Sequence, residues 1–390
     1  MNNCMTSKLG INASRARSGG AIAHLVGILQ EVNPFDFGIN GIHVWSYRKL
    51  LAALPERPWL VKHTSSAFDG SLLRQLWWER FSLPGELQSS GCSILLNVDA
   101  GSICRFRPAV TMSRDMLSYE PGEIGRYGLN RMRLRLIALR YVQNASLRAA
   151  DGVIFLTRYA SNVIQQSCGE LRHVAYVPHG VGAQFQSTEH SLMWPSGKER
   201  PIRCLYISNA LPYKHQWHVV EAITQLRERG FVLQLDLVGG GEGEAQVRLE
   251  RQIKESDPGG EFVAQHEFLP QHALPDFLSR ADLFIFASSC ENMPNTLVEA
   301  MATGIAIACS NRGPMPEVLQ DGGVYFDPEN PDSIAAAIMD LIINPDKRMQ
   351  LAIRAKYLSK QYSWARCAHE TFSFIAETAE RLNKFADTQQ

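Results

Sequence analysis

The chain has 390 residues, enough for two domains of ordinary size, and at 45% hydrophobic and 20% charged its composition is that of a globular protein. Its formal net charge is zero and its pI is near 7.2, so the overall balance gives no reason to expect nucleic acid as a partner. No stretch reaches the roughly 20 apolar residues that cross a bilayer. The first residues lack a secretory apolar segment, and the eight cysteines, at positions 4, 92, 104, 168, 204, 290, 309 and 367, form neither a Cys-x-x-Cys pair nor a zinc spacing, so a reducing cytoplasm is the expected compartment.

Residues 9–13 read as a first strand, and Ser18-Gly19-Gly20 opens an apolar helix over 21–29. The glycine pair either makes a tight turn or lets backbone close on a phosphate or sugar. Strand and helix signals then alternate, with strands at 42–45, 59–62 and 93–98, helices at 50–54 and 71–81, and a strand with its exit loop over 110–116 that carries Arg114 and Asp115. Alternation of this kind is the pattern of a doubly wound parallel sheet.

Between 125 and 148, Arg126, Arg131, Arg133, Arg135, Arg140 and Arg148 occur with no acidic residue among them, while Leu129, Met132, Leu136 and Leu139 recur at helical spacing. A basic amphipathic helix follows, whose polar face is either simply solvated or in contact with an anionic membrane. Trp77, Trp78 and Phe81, beside Arg74 and Arg80, offer a second interfacial group. A strand at 151–156 follows, and in the segment 174–181 His179, between Pro178 and Gly180, reads as a turn residue. Residues 186–201, polar and without periodicity, read as a linker.

A second alternating series begins with a strand at 203–207, which exits through Ser208-Asn209 and on to Lys214 before a helix over 217–229. A strand at 231–238 ends in Gly239-Gly240-Gly241, which lacks the spacing of a dinucleotide fingerprint. A strand signal at 262–269 precedes the richest stretch, 281–317, which itself contains a strand at 305–309, and a strand at 323–326, a helix over 331–341 and a last helix opening at Trp364 complete the chain.

Within that stretch, Leu283, Phe284, Ile285, Phe286 and Ala287 have the composition of a strand buried on both faces. Pro294 fits the first turn of a helix and Gly304 its carboxyl stop, so a helix is expected from Pro294 through Thr303. Its start presents unpaired amides and the positive end of a dipole at the carboxyl edge of the sheet, where anions bind. Glu291 lies ahead of those amides and Glu299 inside the helix. The two carboxylates either flank a sugar nucleotide whose diphosphate sits at Met293, Pro294, Asn295, Thr296 and Leu297, or are an ordinary cap and two solvated glutamates.

Glu291, Pro294, Asn295, Glu299 and Gly304 resemble the E-x7-E signature of retaining glycosyltransferases of family 4. That resemblance implies an α/β chain of GT-B fold: two Rossmann-like doubly wound domains facing a cleft, an acceptor-side domain over 1–185 to which a helix at about 364–390 returns, and a nucleotide-sugar domain over 186–363. It implies that Glu291 contacts the donor sugar near the reacting carbon, that Glu299 holds the ribose, that Lys214 binds the diphosphate, and that Gly19 and Gly20 face the donor. The loop to His272 corresponds to the base-contacting exit. The chain departs from the pattern in two places. Ser113-Arg114-Asp115 stands where a His-Asp pair is common, and arginine cannot accept a proton as neutral imidazole does; Ser208, with Asn209 beside it, falls where an arginine usually accompanies the lysine.

The leading expectation is therefore transfer of a sugar from a nucleoside diphosphate donor to an acceptor hydroxyl, with Glu291, Asp115 and Arg114 nearest the chemistry and no catalytic metal or other cofactor. A glycan or polyprenyl diphosphate-linked acceptor, as in O-antigen or other surface polysaccharide synthesis, is what the resemblance implies, with peripheral membrane contact through the arginine-rich helix. A sugar-nucleotide epimerase of the same fold and a non-catalytic sugar-nucleotide-binding protein are the alternatives.

Overall fold

The computed structural model describes residues 7–17, 19–187, 194 and 200–387. Most of the expected linker at 186–201 lies outside the described residues. The chain divides into two units, 1–180 with 363–390, and 181–362.

The first unit is built on seven strands, β1 (Ser7–Asn12), β2 (Ile39–Trp45), β3 (Leu60–His63), β4 (Ile94–Asn97), β5 (Ala109–Ser113), β6 (Gly152–Phe155) and β7 (Val174–Tyr176). All pair in parallel in the order β3-β2-β1-β4-β5-β6-β7. The central strands are covered on both faces, which is why 94–96 and 109–113 are buried end to end rather than alternating. Order reverses at β1 and β4, the switch point outside whose carboxyl ends ligands bind in such sheets. The helix after β1 spans Gly19–Glu31, so Gly19 and Gly20 are its first two residues rather than a separate turn.

The helix expected over 71–81 is interrupted. Leu72–Trp77 is helical, Trp78–Ser82 widens into a π turn, and Leu83–Ser89 resumes the helix with Pro84 in its first turn. The cause is tertiary: Trp45 Nε1 and Trp78 Nε1 both donate to Glu86, each at 2.8 Å, and the wider turn buries Trp78 and Glu79. Trp78 therefore belongs to the core and not to an interfacial group, while Trp77 and Phe81 remain 61% exposed. The arginine-rich helix starts at Arg131, not 125, because Gly128 takes a positive φ and Asn130 caps the helix by accepting from the Arg133 amide at 3.1 Å. His179 is a core residue rather than a turn residue, packed 4.6 Å from the His24 ring and 6.0 Å from Trp364 of the last helix, Trp364–Asp387.

The second unit has six parallel strands, β8 (Ile202–Ile207), β9 (Leu233–Val238), β10 (Val263–His266), β11 (Leu283–Phe286), β12 (Ala306–Ser310) and β13 (Val324–Phe326), in the order β10-β9-β8-β11-β12-β13. Its switch point lies between β8 and β11. The triple glycine after β9 is explained by packing: a Cβ on Gly239 would sit 2.5 Å from the Ser208 carbonyl oxygen at the exit of β8. Helices at Gly243–Ser256 and Pro345–Ser359 complete the layers. Among the described residues no helix is long and apolar enough to cross a membrane.

Candidate functional site

The two loops that leave β8 and β11, neighbours at the switch point, carry Lys214 and Glu291. The loop after β8 is rigid where it matters: the buried Tyr206 donates its hydroxyl proton to the Lys214 carbonyl at 2.7 Å, and the Ser289 amide of the opposite loop donates to the Tyr213 carbonyl at 2.8 Å. Lys214 Nζ forms an ion pair with Glu291 Oε1, both side chains largely withdrawn from solvent. The sequence puts these residues 77 positions apart; parallel pairing of adjacent strands brings them together.

After Glu291 the chain turns into the helix Asn295–Thr303, with Pro294 directly ahead of it and Gly304 closing it at φ 79°. The expected amide cradle is narrower than five residues. Pro294 has no N–H, and the Asn295 and Leu297 amides already donate to the carbonyls of Met293 at 3.0 Å and Pro294 at 3.1 Å. Met293 and Thr296 are the remaining amide donors of that set.

Glu299 points inward from the second turn of this helix and is 6% exposed. Its Oε1 accepts from Gln271 Nε2 at 2.8 Å, in the loop that follows β10, and its Oε2 is buried with no partner. Burial raises its pKa from the ordinary 4.5 to about 7, the single bond from Gln271 offsetting only part of that cost. A buried carboxyl with one oxygen held and the other unsatisfied is poised to accept a hydroxyl.

The other expected residues are placed as follows. Ser208 is engaged by Gln216, whose Nε2 donates to its hydroxyl at 3.0 Å and its carbonyl at 2.8 Å, and Asn209 is exposed. Neither supplies the charge of the missing arginine. In the first unit, Arg114 and Asp115 leave β5 at its carboxyl end. Desolvation lowers the Arg114 pKa to about 10, partly offset by Asp99, so it stays cationic at neutral pH. Asp115 accepts from the Leu117 amide at 3.1 Å and from Gln143 Nε2 at 3.3 Å, and burial raises its pKa.

Sequence reasoning missed a polar network under the first switch point. Glu79, fully buried by the π turn, accepts from Asn12 Nδ2 at 2.7 Å and from Arg15 at 2.6 Å, and Asn12 also reaches Asn97 Oδ1 at 3.2 Å. The one local signal was a charged residue between Trp78 and Arg80; its partners lie more than 60 residues upstream.

Two sheets of the same switch-point order define the class as GT-B. Over 98% of this chain and 100% of its own, the structure of sucrose-phosphate synthase from Thermosynechococcus elongatus superposes with a TM-score of 0.71 at 15% identity. Residues 191–357, most of the second unit, match the model of the family described as Glycosyl transferases group 1. The O-antigen chain mannosyltransferase B of Escherichia coli is 31% identical over 106 residues, 27% of this chain and 28% of that protein. The GDP-mannose-dependent alpha-(1-6)-phosphatidylinositol monomannoside mannosyltransferase of Mycobacterium tuberculosis is 26% identical over 248 residues, 58% of this chain and 61% of its own. The match thus spans less than two thirds of either relative's length.

Proposed function

We propose that the protein is a retaining glycosyltransferase that moves a hexose from a nucleoside diphosphate sugar to an acceptor hydroxyl in surface glycan synthesis. The observation that carries this is the Lys214–Glu291 ion pair at the switch point of the second unit, followed by a helix that carries the buried Glu299, within a stretch that matches the Glycosyl transferases group 1 model. Breaking the bond between the sugar and the diphosphate separates charge. Lys214, the Met293 and Thr296 amides and the positive end of the Asn295–Thr303 helix stabilise the leaving diphosphate by preorganised positive potential, so the step as drawn draws on no metal. Glu291, already paired with Lys214, orients the sugar and stabilises positive charge developing on it, while Glu299 accepts from the ribose hydroxyls. Asp115 and Arg114 are assigned to the sugar and acceptor side.

The test is thermal unfolding with a panel of UDP-, GDP- and dTDP-sugars, followed by product analysis. A donor at a hundred times its Kd stabilises the native state by about 2.7 kcal/mol, which moves the transition of a 390-residue chain that unfolds as one by roughly 3 °C. A shift with one class of donor and a new glycoside on an added acceptor is the expected result. No shift with any donor contradicts the reading; a changed free sugar nucleotide indicates an epimerase, and binding without turnover a silent binder.

The acceptor assigned to it is a polyprenyl diphosphate-linked glycan, reached from the cytoplasmic face of a membrane. Two exposed surfaces of the first unit support this. Leu72, Leu73, Trp77 and Phe81 are 61–78% exposed beside Arg74 and Arg80, and Leu129 and Leu134 are exposed among Arg131, Arg133 and Arg135. Apolar side chains flanked by arginine suit an anionic interface, each arginine contributing on the order of 1 kcal/mol. Co-sedimentation with phosphatidylglycerol liposomes at low salt is expected, weakened by salt and by Gln at 131, 133 and 135, with donor affinity unchanged. Sedimentation indifferent to both would leave these surfaces merely solvated and favour a soluble acceptor.

A further inference from the structure

His215 follows Lys214 with φ 48°, in the left-handed region that side chains with a β-carbon rarely enter, and among the described residues only Gln320 shares this departure. Its ring is 1% exposed, stacked on His218 with centroids 5.5 Å apart and edge-on to Trp217. Its Nε2 lies 2.9 Å from Ser289 Oγ. Ser289 in turn donates its amide to the Tyr213 carbonyl at 2.8 Å, with its hydroxyl 3.4 Å from the same oxygen. With the hydroxyl proton directed to that carbonyl, the ring donates through Nε2–H.

The bonds therefore close around Lys214 from the residue before it and the residue after it, while Tyr206 holds its own carbonyl. At the other end, Ser289 stands two residues ahead of Glu291. We propose that the His215–Ser289 hydrogen bond is a clasp joining the β8 and β11 exit loops, which sets the spacing of Lys214 and Glu291, with His215 and Ser289 acting as positioning residues for the donor. This rests on the donor-site reading above. A strained residue held by a specific partner directly beside a reactive group is where a fold stores geometry for function. The side chain of Lys214 is long and flexible, so the position of its ammonium depends on the backbone to which it is anchored, and a displacement of about 1 Å at a reacting centre costs on the order of a hundredfold in rate.

The test compares His215→Gly, which suits the left-handed backbone but removes the ring, with His215→Asn, which tolerates the same backbone and restores an N–H donor. His215→Gly is expected to lower kcat about thirtyfold, with a smaller loss, roughly threefold, in affinity for the sugar nucleotide identified by the panel. His215→Asn recovers part of kcat, and Ser289→Ala reproduces the glycine variant, the double variant being no worse than either single one. A residue that merely supports the fold would lower the unfolding temperature and leave the specific activity of the folded protein intact. Wild-type kcat and affinity in His215→Gly, or losses that add in the double variant, would overturn the clasp. Wild-type protein that binds no sugar nucleotide overturns the functional reading instead; the clasp is then judged by the unfolding double-mutant cycle, where coupling between 215 and 289 supports it and its absence rejects it.

Discussion

Replacing Glu299 by Gln should stabilise the protein at pH 8 by up to about 3 kcal/mol while weakening donor affinity roughly ten- to a hundredfold. The stability gain follows from a carboxyl whose pKa is raised by burial from 4.5 to about 7. In the folded protein Glu299 keeps a proton that the unfolded chain releases, so native stability is undiminished below pH 4.5 and declines as pH rises through 7. Glutamine does not titrate, and the Gln271 amide can turn its oxygen toward the new N–H₂. The difference between variant and wild type should therefore be small at pH 4.5 and full at pH 8, in urea unfolding followed at both pH values. The cost falls on function, because an ionised carboxylate accepts hydroxyl protons more strongly than an amide oxygen. Wild-type donor affinity should accordingly tighten as pH rises through 7, and the variant should lose that dependence. Parallel stability profiles, or an unchanged donor Kd, would remove Glu299 from the site.

Glu291→Gln should lower kcat by about 10²–10³-fold with the donor Kd within roughly threefold of wild type. Glutamine keeps the shape of the side chain and a hydrogen bond to Lys214, so the ground-state complex survives. What it lacks is the negative charge that stabilises positive charge on the sugar as its bond to the diphosphate breaks. Single-turnover kinetics beside calorimetric donor binding separates the two effects. Near-wild-type values for both would make Glu291 a partner of Lys214 and nothing more.

Much of the second unit was legible because its signals are local. The apolar run at 283–287, Pro294 ahead of a helix and Gly304 after it are read within 22 residues, and each has one dominant physical meaning; the helix Asn295–Thr303 follows them closely. Lys214 and Glu291 were singled out from sequence, but their ion pair was not, since it depends on which strands are neighbours in the sheet. The amide cradle was overestimated because turn bonds at Asn295 and Leu297 cannot be foreseen from composition. The π turn at Trp78–Ser82, the burial of Glu79 and the left-handed His215 were not legible at all. Each is imposed by a distant partner, Trp45 with Glu86, Asn12 with Arg15, and Ser289, and local propensity gives no hint of any of them.

Retention at the anomeric carbon, with a rate that depends on Glu291, separates a retaining transferase from its rivals. The decisive measurement is the proton NMR anomeric signal of the glycoside formed from an α-linked nucleoside diphosphate sugar, recorded for wild type and for Glu291→Gln. An α-glycoside from wild type, formed on the order of a hundred times more slowly by the variant, is the expected result. A β-glycoside, or an α-glycoside formed equally fast by both proteins, would contradict it.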